Sequence, residues 1–269
     1  MTLATLLAEA AAAEIGLAVI MAAAWGVHRL TGASGWIDAI WTFGVGTVGV
    51  GLALGFAGSS GGEAWRAVMV AALAACWSLR LAAHIVARTL KVGNDPRYGK
   101  LIEDWGDAAP FRLFAFLQVQ AAAGTVLSLS IGLAASAAGA TARVQDALGV
   151  LLFAAALFGE AAADAQIARF KADRANRGRI CDVGLWRLSR HPNYFFEWLS
   201  WVAFAILAFG ANWTGWLALF APALMYWTLR YASGVPLLEE HMLASRGDRY
   251  RAYQATTPVF FPKVWPRQR

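Results

Sequence analysis

The chain has 269 residues, 59% of them hydrophobic and 13 of them Trp, and its mean hydropathy is +0.49. Those values exclude an ordinary soluble domain, where apolar usage is roughly half, and point to a polytopic membrane protein. The net charge of +6 is accounted for by Lys and Arg in cytoplasmic loops; no nucleic-acid recognition motif accompanies it, so nucleic acid is not an expected partner.

The N-terminal stretch carries Glu9 and Glu14 but no early Lys or Arg. It lacks the charged start of a cleaved signal peptide, so the first apolar run is expected to be retained as a helix. Seven runs are long enough to span a bilayer at about 20 residues each: 6–27, 36–56, 67–86, 111–135, 147–168, 193–210 and 213–232. The expected fold is an all-α integral membrane protein, a single transmembrane domain over 1–269 built as a bundle of about seven transmembrane helices. Except for Arg66, Arg80 and Arg143, every one of the 23 Lys and Arg residues then lies on one side. The positive-inside rule makes that side cytoplasmic, with the N-terminus outside and the C-terminus in the cytoplasm. The connectors 58–62 and 136–141, rich in Gly, Ser and Ala, face outside, and the last two runs form a tight hairpin around Gly210.

The second run contains Gly44-Val-Gly46-Thr-Val-Gly49, a formal match to the dinucleotide fingerprint in the wrong context: it lies mid-span with no preceding strand. Together with Gly51 and Gly55 it is expected to serve close helix packing. Ionisable residues inside the runs are Asp38, Arg80, His84, Glu160, Asp164 and Glu197. Each is costly in a bilayer and should face the bundle interior or a wet cavity. Arg80 and His84 are one turn apart, as are Glu160 and Asp164, so each pair shares a face. Structural ion pairs would account for any one of them; six in one small bundle suggest a polar pocket. Cys76 sits in an apolar run and Cys181 in a basic loop, so no disulfide is implied. No Cys/His cluster has zinc spacing, and no metal is expected.

The stretch 184–198 reads GLWRLSRHPNYFFEW. Pro192 suits the first helical position. The free N–H groups and positive dipole end of that helix then lie beside Arg187, Arg190 and His191, where phosphate is attracted. Asn193 and Glu197 share one face just inside the apolar run. Upstream, Lys171, Arg174, Arg177 and Arg179 surround a turn signalled by Asn176 and Gly178. A basic loop leading to a helix N-terminus suits a pyrophosphate and an extra 2′-phosphate, although a plain positive-inside loop carries the same charge. The tail 236–253 has helical spacing with mixed charge, as expected of a segment lying on the membrane surface or capping the bundle.

Taken with Arg249-Tyr250, Tyr253 and Pro258-Val-Phe-Phe-Pro262, this stretch resembles the C-terminal part of the steroid 5α-reductase family, and most closely its bacterial membrane relatives. The similarity is strongest over 164–262, the expected cofactor-binding part. Upstream, Asp38-Ala-Ile-Trp41 and Trp77-Ser-Leu-Arg80 look like the family's helix-two and helix-three signatures. The resemblance implies NADPH bound through Arg80, Asp164, Arg179, His191, Asn193, Tyr194 and Glu197, with Lys171 or Arg174 near the 2′-phosphate. Glu239, Glu240 and His241 sit where the family places a cofactor-contacting His, and Glu240 and His241 are carried over as contacts. The implied reaction is hydride transfer to the β-carbon of a conjugated enone, the Δ4 bond of a 3-oxo steroid or a similar lipid entering from the bilayer. The carbonyl oxygen gains negative charge and needs a donor. In the family an acid on helix two and a Tyr on helix three provide it. Here Asp38 stands for the acid, protonated through burial, and Trp77 occupies the Tyr position. An indole N–H donates but cannot relay a proton, so His84 or Tyr98 is the alternative. A monomer in the inner (cell) membrane of a bacterium, in contact with membrane lipids, completes the expectation.

Two other classes fit parts of the pattern. A lipid or isoprenylcysteine methyltransferase, using S-adenosylmethionine, also carries an Arg-His-Pro…Tyr stretch. A transporter or scaffold is disfavoured by the lack of an internal repeat or broken-helix signature.

Overall fold

A computed structural model describes residues 2–59, 64–137, 141–210 and 213–263, and all secondary structure among them is helical. In chain order the helices are α1 (Leu3–Thr31), α2 (Gly35–Ser59), α3 (Ala64–Val92), α4 (Pro96–Trp105), α5 (Ala109–Ala135), α6 (Val144–Ala172), α7 (Leu185–Leu188), α8 (Pro192–Ala208), α9 (Phe220–Trp227), α10 (Val235–Arg246) and α11 (Asp248–Thr256). Local chemistry sets several ends. Thr2 caps α1 by accepting the Thr5 N–H at 3.2 Å, and Gly32 closes it in the left-handed region at φ 70°, which costs glycine nothing. Asp95 caps α4 through the Arg97 N–H, with Pro96 at the first helical position. Pro192 opens α8 as the sequence predicts.

Five helical segments are long and apolar enough to cross a membrane: Leu3–Thr31, Gly35–Gly55, Ala64–Val92, Pro96–Ala135 and Val144–Ala172. They cover the first five expected runs. The last two differ. α8 is only 17 residues long, and the stretch expected as a single helix over 213–232 is a 3₁₀ segment (Trp213–Leu219), then α9, then a π turn (Thr228–Ala232). Pro222 has no N–H to give and clashes with a preceding helical turn, so an α-helix there must begin close upstream of it; α9 begins at Phe220. Residues 60–63, 138–140 and 211–212, within the expected connectors and hairpin, lie outside the described residues.

The chain divides into two compact units, Met1–Gly149 with Phe204–Ala221, and Val150–Ala203 with Pro222–Arg269. In the first, α2 packs on α1, α3 and α5. The glycine run makes this close approach possible. A Cβ on Gly46 would collide with Ser78 of α3, one on Gly49 with Ile131 of α5, and one on Gly44 would come within 2.9 Å of Ile20 of α1. The run is a packing surface on three sides, as its mid-span position predicts. Polar side chains fasten the same unit. Ser78 and Ser128 donate to the carbonyls of Thr42 and Val45, and Thr125 donates to Glu14 across α5 and α1 at 2.8 Å.

One end of that unit is closed by Asp146, which accepts from the fully buried Arg66 at 2.9 Å and from Arg143 at 2.6 Å. Arg66 also reaches the Ala137 and Thr141 carbonyls, and Arg143 those of Leu207 and Phe209. A buried guanidinium needs this full set of acceptors, because an unpaired charge there would cost several kcal/mol.

In the second unit a Cβ on Gly159 would collide with the Phe196 ring, so α6 and α8 touch there. Phe195, Trp198, Tyr226, Phe260 and Phe261 form one aromatic cluster with neighbouring ring centroids 5.1–6.3 Å apart. Edge-on and offset contacts of this kind add about 0.5–1.5 kcal/mol each to the area buried.

Candidate functional sites in the two units

In the first unit the polar centre is Asp38, in the first turn of α2. Its Oδ1 accepts from the Tyr98 hydroxyl at 2.7 Å, and its Oδ2 from the Arg97 guanidinium. Gln120 of α5 donates its Nε2 to the Tyr98 oxygen at 3.0 Å, and Trp41 donates its indole N–H to the Gln120 carbonyl at 2.9 Å. Asp95 holds Arg97 in place through Nε at 2.9 Å and also accepts from Arg88 at 2.8 Å. Burial opposes the charge on Asp95, but Arg97 and Arg88 outweigh it and hold the carboxyl below its ordinary value. Both Asp38 oxygens are thus engaged, one by Tyr98 and one by Arg97. The O–H that can be given away belongs to Tyr98, from α4.

Trp77 is fully buried in the core of α3, Arg80 is half-buried, and His84 is exposed. Tyr98, one of the two alternatives to the missing helix-three Tyr, touches Asp38. It sits edge-on to Phe116, which also faces Trp105, so its ring is held as well as its hydroxyl.

In the second unit the stretch 184–198 is stitched to the tail. The backbone N–H of Arg190 donates to the Pro258 carbonyl at 2.8 Å, and that of Lys263 to the Leu188 carbonyl at 2.9 Å. The Ser189 hydroxyl donates to Phe260 O at 2.8 Å, and the Tyr253 hydroxyl to Trp186 O. The Arg190 guanidinium gives Nε and Nη2 to Glu239 at 2.6 and 3.2 Å and Nη1 to the carbonyls of Gln254 and Thr257. His191 lies 3.2 Å from Glu239 through Nε2 and stacks on the Tyr194 ring at 5.5 Å. Because a carboxylate only accepts, Nε2 carries the proton and Nδ1 is left as an acceptor. Burial pushes the His191 imidazole below its ordinary value in spite of that carboxylate. Glu239 is held down to about 2: burial alone would raise it, and hydrogen bonds from His191, Arg190 and Gln254 reverse the effect.

Arg190 and His191 are therefore committed inward to Glu239, instead of standing free beside the helix terminus as the sequence suggests. Asp164 and Glu197 are buried, and Glu197 accepts the Trp201 indole N–H at 3.0 Å. Asn193 and Tyr194 are half-buried. Lys171, Arg174, Arg179, Glu240 and His241 are exposed. The tail residue that engages the motif is Glu239, next to the two carried over. Glu239, Arg97 and Gln120 are what residue-by-residue carry-over misses. Among the described residues no group of three or more His, Cys, Asp or Glu is placed to hold a metal ion.

Comparison with known proteins is sparse. An uncharacterized protein of Schizosaccharomyces pombe is 36% identical over 106 residues, a match that covers 36% of this chain and 28% of that protein. The chain thus spans under a third of that curated relative's length, and no solved structure matches it significantly. Residues 24–257 match the model of a family described as protein of unknown function, DUF1295. That match takes in every helix from the end of α1 through α11, and the chain belongs to the DUF1295 family.

Proposed function

We propose that the chain is a multi-pass membrane reductase that uses NADPH to saturate the conjugated double bond of a lipid enone, such as the Δ4 bond of a 3-oxo steroid. The observation that carries this reading is the Asp38–Tyr98 pair. The resemblance to steroid 5α-reductases calls for an acid and a tyrosine at the carbonyl, and α4 provides the tyrosine absent from α3.

The second unit suits a phosphate-rich dinucleotide. Lys171, Arg174 and Arg179 are exposed cations with no ion pair among the described residues, and they suit the phosphates. Asn193 and Glu197 offer an amide and a carboxylate one turn apart, suited to a ribose and a carboxamide. Held by those residues, NADPH would supply the hydride for the β-carbon of the enone, and the carbonyl oxygen would gain negative charge. Tyr98 donates its O–H to that oxygen as its charge grows. In the structure that O–H is donated to Asp38 and Gln120 donates to the phenol oxygen, so for this step the hydroxyl turns from Asp38, beside which Arg97 stands, to the carbonyl. The Tyr98 proton stays on the phenol, and a single proton from solvent reaches the α-carbon and completes the saturated ketone.

The proposed setting is a bundle of about seven spans in a bacterial inner membrane, the N-terminus outside and the C-terminus in the cytoplasm. At 2.0 Å per 3₁₀ residue and 1.5 Å per α residue, Trp213–Trp227 extends about 26 Å, enough to cross most of a bilayer core of about 30 Å.

Thermal unfolding of the detergent-solubilised protein with NADPH, NADH or S-adenosylmethionine tests the reading. A ligand at about 100 times its Kd stabilises the folded state by about 2.7 kcal/mol. NADPH is expected to raise the midpoint, and NADPH oxidation is expected to depend on an added enone. A rise with S-adenosylmethionine alone would make the protein a methyltransferase instead.

A further inference from the structure

Some arginines among the described residues are paired and others are not. Arg66, Arg88, Arg97, Arg143 and Arg190 are tied to carboxylates. Arg177, Arg187 and Arg249, in the second unit, are exposed and have no ion pair among the described residues. They are nevertheless held on ordered backbone. Asp173 caps the turn at 174–176 by accepting the Ala175 N–H at 2.9 Å, and Asn176 donates back to the Phe170 carbonyl at 3.1 Å. Gly178 turns the chain at φ 78°. From α11, Arg249 donates to the Gly178 carbonyl at 3.4 Å, while Tyr253, one helical turn on, donates to Trp186 O. α11 therefore bridges the turn that carries Arg177 and the short helix that carries Arg187, so the backbone of all three residues is held in one region.

That region adjoins the end of α6, a helix long and apolar enough to cross a membrane and ending at Ala172. Cations that follow such a helix at once stand at headgroup level, where a juxtamembrane Lys or Arg gains about 1 kcal/mol from an anionic leaflet. A plain loop obeying the positive-inside rule needs only charge. Here the turn is capped, bonded to α6 and clamped by the tail, so the backbone that carries the cations is ordered before a ligand binds and less entropy is lost on binding.

We propose that Arg177, Arg187 and Arg249 form a docking surface for the phosphodiester headgroups of anionic phospholipids. Arg177 and Arg187 lie in the basic segment that also suits the dinucleotide phosphates, so the test reads the lipid response separately from the response to NADPH.

The test compares midpoints of thermal unfolding for the full chain in neutral detergent with short-chain phosphatidylglycerol, short-chain phosphatidylcholine or inorganic phosphate. Phosphatidylglycerol is expected to raise the wild-type midpoint by about 5 °C, as a ligand well above its Kd does, and the other two to leave it in place. R177Q/R187Q/R249Q should lose the response to phosphatidylglycerol. R29Q/K91Q/R112Q, which removes equal charge from exposed positions of the first unit, should keep that response and the response to NADPH. If R249Q prevents folding, R177Q/R187Q serves, since it breaks no side-chain hydrogen bond among the described residues. Equal stabilisation by phosphatidylcholine or by phosphate overturns the proposal, as does a patch variant that responds like wild type. Equal loss in the two triple variants overturns it too, because net charge alone would then explain the effect.

Discussion

Replacing Glu239 with Ala removes the acceptor of four hydrogen bonds, two from Arg190 and one each from His191 and Gln254. Arg190 keeps the Gln254 and Thr257 carbonyls but loses its counter-charge at a site where both side chains are nearly buried, at 12% and 13% exposure. Removing one partner of a buried pair costs about 3–5 kcal/mol, and this partly accessible pair belongs at the lower end. The depressed acidity gives a second route to the magnitude. A carboxyl held at about 2 against an ordinary 4.5 corresponds to about 3 kcal/mol, or about 2 after solvent screening. Both routes give about 2–3 kcal/mol, which lowers the unfolding midpoint of a chain this size by about 5–10 °C.

The pH dependence has a definite sign. The Glu239 contribution is complete above pH 4.5 and is lost as pH falls toward 2, because the unfolded chain takes up its proton first. His191 acts in the same direction from a higher pH. Its folded value is depressed, so the unfolded chain binds a proton as pH falls through 6.5 and the folded state loses ground. Glu239→Ala should therefore flatten the acid limb below pH 4.5 as well as lower the midpoint at neutral pH. Thermal unfolding followed by intrinsic Trp fluorescence from pH 3 to 8 reads both. Equal midpoints for the two proteins, with superimposable acid limbs, would refute the view that this carboxylate holds the tail on the motif.

Tyr98→Phe should cut turnover by about 10²–10³ while leaving NADPH stabilisation intact, as expected for loss of a donor to a developing oxyanion; unchanged enone-dependent NADPH oxidation would remove Tyr98 from the reaction. Asp146→Ala should cost about 3–5 kcal/mol by stranding the fully buried Arg66. Exchanging both residues for apolar ones should cost less than the single change, and a double-mutant cycle on unfolding midpoints checks this. Gly46→Ala should destabilise by about 1–3 kcal/mol through its clash with Ser78. Ser78→Gly in the same chain should recover part of that loss, less the hydrogen bond to the Thr42 carbonyl.

The features legible in the sequence were those set within a few residues. Pro192 marks the start of α8 because its ring suits the first helical turn, and Gly44, Gly46 and Gly49 mark close packing because no strand precedes them. What escaped was set by contacts far apart in sequence. Arg190 and His191 look like free cations in a basic segment; Glu239, nearly 50 residues later, neutralises them, and no local periodicity announces that pairing. The contact of Tyr98 with Asp38 depends on α4 folding back across 60 positions of chain, which nothing local to either residue announces. The run at 213–232 is continuous in hydropathy, but its backbone changes from 3₁₀ to α to π around Pro222, which a count of apolar residues does not register.

The backbone pairing of 188–190 with 258–263 bears on how the protein is made. The stretch GLWRLSRHPNYFFEW leaves the ribosome long before its partner does. At about 5–20 residues per second, roughly 4–15 s separate the synthesis of Arg190 from that of Lys263. During that interval Arg190 and His191 have neither Glu239 nor the Pro258 carbonyl to bond to. Assembly of this region is thus deferred until residues 239–263 have been made, and a chain cut before Pro258 would contain the whole motif yet lack the strap that closes over it.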